Sequence, residues 1–345
     1  MTKTILSKKQ NFFIFNFGRL KQNFWELSFS VAILAAMILI ISNPAIFSKS
    51  TISGLKLFFY SVLPGLFPFM FLTKLLTELG FVFKLSSRFS KASNKLFGTP
   101  GVSLYAFFMS ILSGYPIGAK IISDLYEKNL ISSDDAKRMS LFCTTSGPIF
   151  VIGAVGVGML SSFKLGLIIY ISHIAASFLL GVFYNIFFKN KHQNVTTFSY
   201  STPTRKQNII SGALNETITS LLMVGGFITI FYLLTEVLDT LKIIDGLGIF
   251  LEPVLQKIRF SKSAFSGLIY GLVEVTHGAK SLSLLSPLPV PLFSAIISFS
   301  GLSIIMQSMA FLKTAKIKTR DFVFSKCVLG ILSYFICKLL LIIWN

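Results

Sequence analysis

The sequence predicts an all-α polytopic membrane protein whose two halves form an inverted structural repeat with broken or re-entrant helices. Three observations predict it. Apolar runs of membrane-crossing length recur along the whole chain, Lys and Arg gather in the short segments between them, and the sequence matches itself at an offset of 160 positions.

Composition sets the solvent. Only 13% of the residues are charged and 53% are apolar, whereas soluble domains carry about 25% charged residues. A formal net charge of +19 would suggest nucleic acid in a soluble protein. Here the cations lie between apolar runs, the pattern of cytoplasmic segments against anionic lipid. The expected partner is therefore the lipid bilayer, with no nucleic acid. Cys143, Cys327 and Cys337 have no CxxC spacing, so no disulfide framework, metal site or cofactor is expected.

In chain order, residues 1–26 form a basic N-terminus, expected to be cytoplasmic, and 27–47 a first transmembrane helix. A basic and aromatic stretch precedes this apolar run and no small-x-small pattern follows it, so it reads as a retained span and not a cleaved signal. Residues 50–188 form a first repeat, 189–211 a basic cytoplasmic linker, and 212–345 a second, inverted repeat. The apolar segments within the repeats are 55–80, 101–122, 140–160, 165–188, 212–238, 263–285, 288–312 and 322–344. In lipid each must satisfy its backbone internally, so all are expected to be helical or broken-helical.

Orientation follows from the basic clusters: Lys3, Lys8, Lys9, Arg19 and Lys21; Lys84, Arg88, Lys91 and Lys95; Lys189, Lys191, Arg205 and Lys206; and Lys313, Lys316, Lys318 and Arg320. All four should share the cytoplasmic side. Three apolar segments separate the second cluster from the third, and three more separate the third from the fourth. An odd number of crossings cannot return to the same side, so one segment in each group is expected to enter and leave by the same face.

The self-match is sharpest at GAKIISDL (118–125) against GAKSLSLL (278–285). Gly65, Phe67 and Phe71 pair with Gly225, Phe227 and Phe231, and Ser146-Gly147 pairs with Ser300-Gly301 at a slightly shorter offset. With the orientation above, the two halves are inverted. That plan recurs in secondary transporters, where exchange between two nearly equivalent halves gives outward and inward states.

Candidate binding residues lie where these spans break. SGYPIGAK (113–120) places Gly114, Pro116 and Gly118 within an apolar segment ending in Lys120; TTSGP (144–148) adds Thr144, Thr145, Ser146 and Gly147. Freed backbone groups, hydroxyls and half-helix N-termini suit a polar or anionic solute, although Gly and Ser also permit close helix packing. In the second half, EVTHGAK (274–280) holds Glu274, Thr276, His277, Gly278 and Lys280, followed by Ser300 and Gly301. Intramembrane ionisable residues mark a pathway or relay by default. On a helix Glu274 and His277 would share a face, and Lys120 or Lys280 would neutralise an anion, pair with Glu274, or snorkel to an interface. His173, alone among apolar residues, reads as a packing hydrogen-bond donor. No catalytic set appears, so no enzymatic activity is expected.

SGYPIGAK, TSGP (145–148) followed by IGAVG (152–156), and EVTHG (274–278) together resemble the sporulation integral membrane proteins of endospore-forming bacteria. These carry the nucleoside-recognition, or Gate, domain, and the resemblance covers about residues 50–345. It implies a multi-pass protein of the bacterial cytoplasmic membrane needed for spore formation. His277 falls at a variable position of the family's E-x-T-x-G pattern. The expected function is secondary transport of a small polar or anionic, nucleoside-like solute, with a coupling proton or sodium ion and a homo-oligomer among the expected partners. The alternative is a non-transporting scaffold or sensor that recruits spore-assembly partners through basic loops.

Overall fold

A computed structural model describes residues 26–188 and 209–344, with no strand among them. The basic N-terminus and nearly all of the basic linker lie outside the described residues. The chain divides into two units, Met1–Thr51 and Ile52–Asn345.

The first unit contains α1 (Glu26–Ser42) and the start of α2 (Pro44–Leu57). The apolar run 27–47 is thus interrupted at Asn43, because Pro44 offers no N–H and disfavours helical geometry in the residue before it. Leu27, Phe29, Leu34, Ile38 and Ile41 are all exposed, as befits a helix whose surroundings are lipid.

The second unit continues with a π segment (Phe58–Val62), α3 (Leu63–Glu78), α4 (Phe81–Phe97), α5 (Val102–Ser113), α6 (Ile117–Glu127), α7 (Ser133–Phe142), a second π segment (Ile149–Met159) and α8 (Phe163–Phe187). After the linker come α9 (Ile209–Thr240), α10 (Ile243–Phe250), α11 (Glu252–Lys257), α12 (Lys262–Val273), α13 (Val275–Ser283), α14 (Val290–Phe299), α15 (Gly301–Leu312) and α16 (Thr319–Trp344). The order repeats: α3 corresponds to α9, α4 to α10 and α11, α5 and α6 to α12 and α13, α7 and the second π segment to α14 and α15, and α8 to α16.

Counterparts run antiparallel. Lys164 at the start of α8 donates to the Trp344 carbonyl at the end of α16, 2.8 Å away. Lys74 late in α3 pairs with Glu216 early in α9 at 2.6 Å, while Phe58, just before α3, lies against Gly225 further along α9. Contacts between the halves are reciprocal: α6 packs on α15 as α13 packs on the second π segment, and α8 packs on α14 as α16 packs on α7. Reciprocal contact is the mark of a two-fold relation, and antiparallel counterparts make it an inversion.

The first broken segment of each half folds back on itself. Gly267 of α12 lies against Leu282 of α13, and Gly271 against Gly278, so α12 and α13 fold back as a tight hairpin. Ser110 of α5 meets Gly118 of α6 in the same way. Both have the geometry of a re-entrant segment. α14 and α15 instead continue as one broken span, Val290–Leu312.

That span, α8, α9 and α16 are each long and apolar enough to cross a bilayer, and the number reaches six among the described residues only if each of two bent helix pairs is counted as one span. Phe187, Leu222, Ile230, Phe324, Phe335 and Ile342 point outward along these helices, which in water would be an aggregation surface. The chain is a multi-pass integral membrane protein.

Candidate functional site

Each break has a local cause. Gly114 (φ +85°) ends α5 in a conformation suited to glycine, and Pro116 follows without an N–H. Ser300 (φ +81°) and Gly301 (φ +67°) form the α14–α15 break. In each half the broken span crosses its hairpin through glycine, with Gly147 against Ser113 and Gly114 and Gly301 against Val273 and Val275. At these positions a side chain would collide with backbone.

Glu274 departs from expectation. It is not helical but extended, between α12 and α13, and its Oε2 accepts from the His277 N–H at 2.7 Å. The carboxylate is therefore the N-cap of α13, where the helix dipole and a free N–H favour negative charge. Val273 and Val275, both β-branched, flank it. The His277 ring stacks on Tyr270 at 4.6 Å, and the group of His277 that bonds the carboxylate is its backbone N–H.

The hairpin tips and broken spans converge on a cavity of about 330 Å³, at the small end of ligand pockets. Ser113, Gly114 and Tyr115 line it from one hairpin and Glu274, Val275 and Thr276 from the other. Ser146 and Gly147 come from one broken span, Ser303 and Gln307 from the other, and Leu66, Val224 and Ile228 supply apolar wall from α3 and α9. Among these lining residues Glu274 alone is charged, and it is only 4% exposed. The Ser113 hydroxyl is buried without a hydrogen-bond partner.

Of the residues expected from sequence, the cavity thus gathers Gly114, Ser146, Gly147, Glu274 and Thr276. The others lie elsewhere. Gly118 and Gly278, the glycines of the repeated GAK, are packing positions: a methyl group would collide with the Cys143 carbonyl at the first and the Gly271 backbone at the second. Thr145 is tied to the Ser110 hydroxyl, both by its own hydroxyl and by its N–H. The Ser300 hydroxyl turns to the Ser298 carbonyl, 3.3 Å away. Pro116, Thr144, His277 and Gly301 also fall outside the lining, and Lys280 is exposed.

Lys120 does not meet Glu274. It binds Asp124 at 2.8 Å and also Glu216. Lys74 joins Glu216 at 2.6 Å and Asp124 at 3.1 Å, and Glu78 links Lys74 to Lys128. This network ties α3, α6 and α9 about two turns beyond Leu66 and Val224 of the cavity wall. It holds Lys120, the one cation among the first half's candidates, to carboxylates and away from the cavity, together with Lys74.

Two residues escaped the sequence reading, Gln307 in the cavity wall and Lys326 behind it. Lys326 of α16, 1% exposed, donates to the Thr144 carbonyl at 2.6 Å, and its ammonium sits 4.9 Å from the Tyr115 ring centre. The signal was present, an ionisable residue inside an apolar span, but Lys near a span end also reads as snorkelling. Gln307 shows no break around it; its amide donates to Ser303 at 3.2 Å. His173 acts as a hydrogen-bond donor, as expected, and also as an acceptor. Its Nε2 accepts the Ser146 N–H at 2.8 Å, leaving Nδ1–H to donate to Ser298 Oγ at 2.7 Å.

Comparison with curated proteins finds similarity to the sporulation integral membrane protein YlbJ of Bacillus subtilis (strain 168), 26% identical over 315 residues that cover 85% of this chain and 77% of that one. No family model matches the chain, and no solved structure matches it.

Proposed function

We propose that this chain is a membrane protein of sporulation that transports a small polar, nucleoside-sized solute by alternating access through the cavity between its inverted halves. One observation carries the reading: two hairpin tips and two broken spans, equivalent by repeat, meet at one chamber whose polar groups have no packing role in common. The name of the similar protein supports the sporulation setting, the motif resemblance supports a Gate-like origin, and the basic clusters support a cytoplasmic N-terminus.

The chamber favours a neutral or donor-rich solute over an anion. Glu274 supplies the charge, Lys120 is held in the ion-pair network and Lys280 lies outside. Hydroxyls at Ser113, Ser146, Thr276 and Ser303 and the Gln307 amide offer donors and acceptors, while the aliphatic walls suit a ring face. No catalytic role is proposed for any of these groups.

The test is uptake and exchange of labelled nucleosides, purine bases and small carboxylates in proteoliposomes, with and without proton or sodium gradients. Flux of a neutral solute that falls at least tenfold in Glu274→Gln supports the reading. Binding without flux in either direction would replace it with a sensor, and neither binding nor flux with a scaffold.

A further inference from the structure

The exposed surface of α4 divides by helical register into two stripes beside a docked one. Ser93 and Phe97 are buried against the body. Arg88, Lys91 and Lys95 recur at spacings of three and four residues, so they fall on one face, opposite the buried one. Arg88, Lys91 and Lys95 are exposed, and among the described residues no ion pair involves them. Phe81, Phe89, Ala92 and Leu96 form an apolar stripe between the two, with Phe81 43% and Phe89 40% exposed. No acidic residue occurs in α4.

The helix is preformed and held crosswise. Its Ser86–Phe97 portion is bent 84° from α5. The Ser93 hydroxyl bonds Ser103 Oγ at 2.6 Å, and the Asn185 amide donates to the Lys95 and Leu96 carbonyls at 3.2 and 3.3 Å. Gly98 (φ +62°) closes the C-terminus. A helix turned nearly at a right angle to α5, with apolar and cationic stripes side by side, is built to lie along a membrane surface.

We propose that α4 is an interfacial helix that binds anionic phospholipid headgroups through Arg88, Lys91 and Lys95. Phe81 and Phe89 enter the acyl boundary beside them. The charge of the stripe selects the occupant, since each Lys or Arg near an anionic leaflet adds attraction and a zwitterionic leaflet offers none. The inverted counterpart differs: α10 and α11 carry Asp245 and Glu252 along with Lys257. The two ends of the molecule therefore read lipid charge differently, and only the α4 end prefers the anionic leaflet. This holds whether or not the chamber transports.

The test measures the association of spin-labelled phosphatidylglycerol relative to spin-labelled phosphatidylcholine with the full chain in mixed vesicles. The wild type should prefer phosphatidylglycerol several-fold, and Arg88→Gln/Lys91→Gln/Lys95→Gln should bring the ratio close to one. The control Lys257→Gln/Arg259→Gln/Lys262→Gln should leave it unchanged. Should the triple variant not fold, 1 M NaCl added to the wild type must collapse the same preference, because screening at about 3 Å leaves little surface attraction. No preference in the wild type, a preference that survives both the triple variant and high salt, or its loss in the control overturns the proposal.

Discussion

The Lys326 ammonium in α16 reaches across to the other half and holds the Thr144 carbonyl at 2.6 Å. His173 in α8, the counterpart helix, does the reverse by binding Ser298 beside the α14–α15 break. Each long span thus grips the broken span of the opposite half. Broken helices leave carbonyls and N–H groups without intrahelical partners, and inside a bilayer those groups must be satisfied by protein. The clamps meet that need while connecting the halves.

Lys326→Met should separate stability from function. The variant leaves the Thr144 carbonyl without its donor, which costs about 1–3 kcal/mol. It also removes a buried ammonium that pairs with no carboxylate among the described residues, and whose desolvation penalty is several kcal/mol. The second effect is larger, so thermal unfolding in detergent should show a midpoint equal to or above the wild type while solute flux falls. A clear drop in midpoint would mean that the clamp serves stability.

His173→Leu should behave in the opposite way. It strands the Ser146 N–H and the Ser298 hydroxyl together in a fully buried site, with about 1–3 kcal/mol lost for each unsatisfied group. A lowered unfolding midpoint, partly recovered in His173→Leu/Ser298→Ala, is the expected result. Equal midpoints for the single and double variants would argue against the clamp.

Gly118→Ala and Gly226→Ala form a matched pair. The first drives a methyl group into the Cys143 carbonyl, whereas the second meets open space on α9. Overpacking should cost Gly118→Ala about 1–3 kcal/mol or more, and helix propensity should favour Gly226→Ala by up to about 1 kcal/mol. Urea or thermal titration of the two variants reads the difference directly.

The ion-pair network should show coupling between Lys74 and Glu216. Their side chains are 12% and 37% exposed, between a surface pair and a buried one. A double-mutant cycle with Lys74→Met and Glu216→Gln should return a coupling of about 0.5–3 kcal/mol. A value near zero would reduce the network to a surface feature.

Much of this arrangement was legible in the sequence because glycine, proline and hydroxyl residues announce breaks in apolar runs. Gly114, Ser146 and Gly147 follow from that rule, and the recurrence of GAK marked equivalent segments in the two halves but not which broken segment folds back. The same recurrence misled at Gly118 and Gly278, since a close backbone approach and a ligand site demand the same small residue. Glu274 was found by its charge, but its extended backbone was not, for no glycine or proline marks the α12–α13 turn. Lys120 found its partners at Asp124, one turn away, and at Glu216, 96 positions away, a pairing that local pattern does not encode. Lys326 and Gln307 depend wholly on which spans meet.

The central claim is that the four breaks enclose one solute-accessible chamber, and cysteine labelling tests it most directly. Cys143, Cys327 and Cys337 are replaced by Ala, and single cysteines are placed at Gln307, which lines the cavity, and at Ser294, which bonds Ser333 in the α14–α16 packing at 2.6 Å. A membrane-impermeant thiol reagent applied to proteoliposomes should modify Gln307→Cys and spare Ser294→Cys. Protection of Gln307→Cys, or equal modification at both positions, would contradict the chamber.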